Sequence, residues 1–129
     1  MEVFYFPGFQ EPVVLEEGTH KKYGYKVTCN GNNPCGYVTL PKSHPWNACN
    51  HSTMEKKCNT VRVHGGITFI QKDDGVYTIG WDYAHTPMDY VGFMANPDFA
   101  YADYPDAKKW TTKEILNDIF SVIQQLMEV

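Results

Sequence analysis

A chain of 129 residues closes one hydrophobic core, so a single domain spanning 1–129 is expected. Hydrophobic residues at 43% and charged residues at 20% exclude a wholly disordered chain, and no apolar run approaches the roughly 20 residues that cross a bilayer. Eleven Lys+Arg against fifteen Asp+Glu give a formal charge of −4, and with Arg62 as the only arginine the chain lacks the basic stripe of a duplex-coating nucleic-acid binder.

In chain order, the first forty residues read as short strands, Val3–Phe6, Val13–Leu15, Tyr23–Thr28 and Gly36–Leu40. Turns are expected between them at Pro7-Gly8, Glu17-Gly18 and Asn30–Pro34. The start, Met1–Gln10, has no basic region followed by an apolar stretch, which argues against classical secretion. From Pro41 to Thr60 the apolar period vanishes, and a long connection anchored by Trp46 is expected.

Thr60–Asp82 reads as a hairpin turning at Lys72-Asp73-Asp74-Gly75. A three-residue loop, Asp73-Asp74-Gly75, pairs Gln71 with Tyr77, Phe69 with Ile79 and Ile67 with Trp81 on one apolar face. It sets Thr68 opposite Gly80 and Gly66 opposite Asp82 on the other. A two-residue loop would put Phe69 opposite Gly80 and mix core with polar positions, so the three-residue register is preferred. Tyr83–Trp110 shows little period and is aromatic and acidic, with Tyr83, Tyr90, Phe93, Phe99, Tyr101, Tyr104 and Trp110. The capping-box pattern Thr111 to Glu114 then opens a helix, about Thr112 to Met127, with Ile115, Leu116, Ile119, Phe120, Ile123, Leu126 and Met127 at helical spacing. The fold class is therefore α+β, a mainly antiparallel β-sheet with a central hairpin packed by a C-terminal helix.

The charge is uneven: residues 1–70 hold seven basic and five acidic side chains, residues 71–129 four and ten. Aromatics are over-supplied at 15%, either lining a surface or filling a small core. Cys29, Cys35, Cys49 and Cys58 contain no C-x-x-C pair; buried free thiols are favoured over a metal set built from Cys35, Cys49, His51 and Cys58.

The polar hairpin face carries the chemistry. Gly66 and Gly80 remove side chains between Arg62, His64, Thr68 and Asp82, leaving a trough with a backbone floor, and Gly65-Gly66 frees amides to face an anion. The same glycines also suit a bulge and close helix packing. Asp82, His85 and Asp89 follow at short spacing and fall near His64; a carboxylate beside an imidazole fixes its tautomer and raises its basicity. His64, Asp82 and His85 would also serve as a two-His-one-carboxylate metal set, or as satisfied structural groups. His44 and Trp46, with Trp81, complete the candidate ligand-binding set of Arg62, His64, Gly65, Gly66, Thr68, Gly80, Asp82, His85 and Asp89. His44-Pro45-Trp46 reads as a lid or as a pin onto the core. No cofactor and no metal is assigned.

Four blocks, Cys35-Gly-Tyr-Val, Pro41-x-x-His44-Pro-Trp46, Val63-His-Gly-Gly-Ile-Thr-Phe69 and Ile79-Gly-Trp-Asp-Tyr-Ala-His85 with Asp89, resemble a family of small, largely uncharacterised bacteriophage and prophage proteins. The likeness covers residues 35–89, with a looser match in the C-terminal helix; the family typically carries phenylalanine where Trp81 stands. The first thirty residues and the Asn-rich stretch before Cys35 are particular to this chain. The resemblance implies a phage or prophage source and a cytoplasmic setting in the infected cell.

Three functions suit such a chain. The first is capture, without chemistry, of a nucleotide-derived small molecule such as a bacterial anti-phage immune signal, with rings on the base and imidazoles and amides on phosphate. The second is a phosphodiesterase cleaving such a signal, with His64 and His85 as acid and base, Asp82 beside them, and Arg62 or amides on the developing charge. The third is a protein–protein inhibitor using the acidic, tyrosine-rich 83–110 segment. The acidic second half opposes any polyphosphate ligand. Exposed aromatics and an edge strand suit a homo-oligomer; no membrane and no duplex nucleic acid is expected as partner.

Overall fold

The computed structural model describes residues 12–29, 33–85, 89 and 108–129. The expected strand Val3–Phe6, the Pro7-Gly8 turn and the rings from Tyr90 to Tyr104 lie outside the described residues. Among the described residues five strands form one antiparallel sheet: β1 (Val13–His20), β2 (Tyr23–Cys29), β3 (Pro34–Thr39), β4 (Phe69–Asp73) and β5 (Val76–Asp82), in the order β1-β2-β3-β5-β4. Helix α1 (His51–Cys58) lies between β3 and β4, and α2 (Thr112–Met127) follows β5. The α+β reading holds. Among the described residues no helix is long and apolar enough to cross a membrane.

Helix α2 starts where the sequence placed it. The Thr111 side chain accepts from the Glu114 amide, and the Glu114 carboxylate accepts from the Thr111 amide, which satisfies donors the helix leaves open. Ile115, Ile119, Val122, Ile123 and Leu126 are buried against Val27, Val38 and Ile79 of the sheet. Each such side chain contributes about 1.5–3 kcal/mol when fully buried.

Three expectations are corrected. The β4–β5 register is the two-residue one, with Phe69 opposite Gly80, Ile70 opposite Ile79 and Asp73 opposite Val76. Asp74 and Gly75 both take positive φ (53° and 78°), the turn whose twist matches that of the flanking strands. Phe69 therefore lies on the outer face, edge-on to the Tyr37 ring, and β4 begins only at Phe69, so Gly66 is not paired with Asp82.

The Glu17-Gly18 turn is absent. Strand β1 runs on to His20 and turns at Lys21-Lys22, with positive φ at both lysines (50° and 73°). Gly18 lies within the strand opposite Tyr25, whose hydroxyl would stand 2.8 Å from an added Cβ, so a side chain there would clash.

The long connection is not irregular throughout. It holds a short 3-10 turn, Pro45–Ala48, and helix α1, capped by the Asn50 side chain accepting from the Thr53 amide. Trp46 is buried, the anchor the sequence suggested.

Candidate functional site

The segment between α1 and β4 places the first imidazole. Gly66 N–H donates to Val63 O at 2.9 Å, closing a tight turn over His64-Gly65. Gly65, third in that turn, takes φ +71°, the left-handed value that favours glycine. The turn sets His64 at a corner, where its ring stacks on Tyr83 (5.2 Å between centroids, 6° between planes) and tilts against Trp110 at 4.8 Å.

The end of β5 places the second. The backbone of Gly65 passes so close to His85 that a Cβ there would lie 2.0 Å from His85 Nε2. The missing side chain at 65 is thus the seat of the His85 ring, which stands 5.3 Å from the His64 ring. His85 Nε2 lies 3.1 Å from the Asp82 carbonyl oxygen and 3.3 Å from its Oδ1. Asp82 also accepts from the Ala84 amide at 3.1 Å and from the Thr68 hydroxyl at 3.3 Å.

Asp89 joins the two. Only 1% exposed, it faces His64 Nε2 with Oδ2 at 2.7 Å and accepts on that oxygen from the His85 amide at 3.0 Å. Its Oδ1 accepts from Trp110 Nε1 at 2.7 Å. Three donors on one buried carboxylate offset its loss of water and fix the protonated face of His64 toward it. Ligand-capable atoms of His64, His85 and Asp89 lie within 4.8 Å of one another.

Behind the cluster, Trp81 Nε1 donates to the Tyr83 hydroxyl at 2.9 Å, and that hydroxyl donates to Asp118 at 2.6 Å. Burial, reinforced by Asp118, holds Tyr83 far above the usual range for losing its proton. Tyr83 is therefore a fixed neutral donor bracing the His64 ring.

His64, Gly65, Thr68, Asp82, His85 and Asp89 meet at one corner of the sheet, and Gly66 adjoins them. Among the described residues, a Cβ added at Gly66 would meet no atom within 4 Å.

The remaining candidates lie elsewhere. Gly80 is not an open floor, because the Tyr37 ring covers it, 2.5 Å from an added Cβ. Trp81 is buried on the inner face over Gly36 and does not rim a recess. Arg62 exchanges backbone hydrogen bonds with the Gln125 side chain and, with Trp46 and Val129, lines a separate hollow of about 220 Å³. His44 is no lid: its Nδ1 accepts from the Trp46 amide at 3.1 Å, its Nε2 reaches Leu126 O at 3.0 Å, and it is buried. The outer sheet face forms its own open recess of about 660 Å³, with Lys26, Tyr37, Thr39, Phe69 and Thr78 in its wall and no histidine.

Sequence reasoning missed Trp110 and Tyr83 as partners of the histidines. Two signals were available: Tyr83 continues the inward alternation of Ile79 and Trp81, and Trp110 immediately precedes the helix cap. Among the described residues the cysteines form no metal-holding group with His51.

No family model, curated protein or solved structure matches this chain.

Proposed function

We propose that the protein captures a nucleotide-derived small molecule at the His64–His85 corner, and that the chain comes from a phage or prophage and acts in the cytoplasm of the infected cell. The observation that carries this reading is the meeting of two imidazoles, each already held by a carboxylate, beside Gly66, where an added Cβ would meet no atom of the described residues within 4 Å. A ligand entering there meets the two imidazoles and the Thr68 hydroxyl, with Tyr83 and Trp110 bracing His64 from behind. A site whose polar groups are held in place before the ligand arrives loses little side-chain entropy on binding.

Among the chain's own side chains, the position of Arg62 favours capture over cleavage. The phosphodiesterase reading needs a cation or amides on the charge that develops in the transition state. Arg62 lines the hollow beside Gln125 instead, and Lys108 is paired with Glu114 over the Trp110 ring. Cleavage stands as the second reading because the His64–Asp89 pair with a second imidazole beside it is an acid–base arrangement.

The test is retention and release. The protein is incubated with cyclic dinucleotides and ADP-ribose derivatives, freed of unbound ligand, heat-denatured and the supernatant separated. Intact ligand supports capture. Fragments that His64→Ala and His85→Ala abolish support cleavage, and failure to retain any probe contradicts both.

A further inference from the structure

The charges around the corner are mostly of one sign. Asp89 touches both histidines, Asp82 holds His85, and Asp118 lies one hydrogen bond behind Tyr83. Lys108, whose ammonium lies over the Trp110 ring, is paired with Glu114. Such a field repels a bare phosphate and attracts a cation.

We propose that His64, His85 and Asp89 bind one divalent first-row transition metal ion, zinc or a close neighbour, and that a phosphate group of the captured ligand docks on its open positions. The docking step rests on the capture reading; the metal site does not. Two imidazoles and one carboxylate are the donor set that zinc and non-haem iron sites use when they leave positions open for a ligand. The sequence pointed to Asp82 as the carboxylate of such a set. The fold puts Asp89 there, with Asp82 behind His85 as its hydrogen-bond partner.

Three further features fit. Asp89 is fixed by Trp110 Nε1 on the oxygen that does not face His64, the outer-shell donor that metal carboxylates usually carry. Asp82 on His85 Nε2 leaves the other ring nitrogen without a hydrogen-bond partner among the described residues. Two ligands of one zinc ion stand about 2.9–3.4 Å apart; His64 Nε2 and Asp89 Oδ2 lie 2.7 Å apart and all three donor atoms within 4.8 Å, so the set closes by up to about 1–2 Å around an ion. A metal entering between them takes the His64 Nε2 lone pair, and the ring proton moves to Nδ1.

Zinc or cobalt(II) alone is the probe, titrated into the full-length chain by calorimetry and by visible absorption. One ion bound per chain, with cobalt bands of nitrogen–oxygen character, is the expected result. A thiolate-to-metal charge-transfer band would place the ion on the cysteines and overturn the assignment, as would the absence of saturable binding. His85→Ala should abolish the one-to-one binding while circular dichroism stays native. Should that variant unfold, paramagnetic broadening by cobalt in the wild-type imidazole NMR spectrum decides: His64 and His85 broaden and His44 and His51 do not, and broadening at His51 instead refutes the site. Nucleotide retention is then repeated with chelator. Retention lost with the metal supports the docking step, and retention unchanged overturns it. Metal bound with no nucleotide retained leaves the metal site standing and removes the capture reading.

Discussion

Gly65 and Gly66 make a matched pair for testing how the corner is built, because both take positive φ (71° and 78°) and only one of them touches a histidine. Alanine at either position must adopt a left-handed backbone, which costs about 1–2 kcal/mol. At Gly66 the added Cβ meets no atom of the described residues within 4 Å, so that cost is the expected effect. At Gly65 the Cβ would stand 2.0 Å from His85 Nε2, 2.5 Å from Cε1 and 2.7 Å from Cδ2, all inside the 3.0 Å that real Cβ atoms essentially never cross. The imidazole must leave, and with it go its contacts to Asp82. A hydrogen bond to a charged group is worth about 1.5–3 kcal/mol, discounted here to about 1–2 kcal/mol because both side chains are partly exposed. Urea unfolding should therefore place Gly65→Ala about 1–2 kcal/mol below Gly66→Ala, a midpoint difference of roughly 1 M at an ordinary denaturant slope. The His85 imidazole resonances should shift in the first variant only. Equal midpoints and an unmoved His85 in both would refute the claim that residue 65 seats the ring.

Three other outcomes follow from particular contacts. Replacing Lys21-Lys22 with Asn-Gly should stabilise the protein by about 1–2 kcal/mol in the same urea assay, because both lysines sit at positive φ in a two-residue hairpin that Asn-Gly adopts without strain. Trp110→Phe leaves Oδ1 of the buried Asp89 without its donor and should cost about 1–3 kcal/mol, read as a lowered thermal midpoint. Burial raises the Cys58 thiol to about 11, so alkylation of native protein at pH 8 should be about 100-fold slower at Cys58 than for an unperturbed thiol; in a cysteine-specific mass-spectrometric time course, equal rates would show the thiol to be open.

How far the sequence could be read depended on whether the decisive force was local. The helix at 112–127 was legible because its cap and its apolar stripe both lie within a few residues of each other. Helix α1 was not, since only Met54 and Cys58 of its eight residues are buried and its other side chains are polar. The β4–β5 register failed for a different reason. Polarity matching assumed that Phe69 seeks the core, whereas the Asp74-Gly75 backbone sets the pairing, and Phe69 finds Tyr37 on the outer face. The β1–β2 turn carried no glycine or asparagine to reveal it.

At the corner, the nearness of His64, Asp82 and His85 was legible from their spacing. That Asp89 would be the buried centre, held by Trp110 from twenty-one residues away, was not. Such a contact depends on where the intervening chain returns, and local pattern carries no information on that path.

The account turns on whether the His64–His85 corner is where small molecules bind, and an imidazole NMR titration of the wild-type chain with cyclic dinucleotides and ADP-ribose, in the presence of zinc, asks this directly. His64 and His85 should move together and saturate with one of these probes, while His44, fixed between Trp46 and Leu126, and His51, on the exposed face of α1, stay where they are. Saturating shifts elsewhere in the spectrum, with His64 and His85 unmoved, would contradict it.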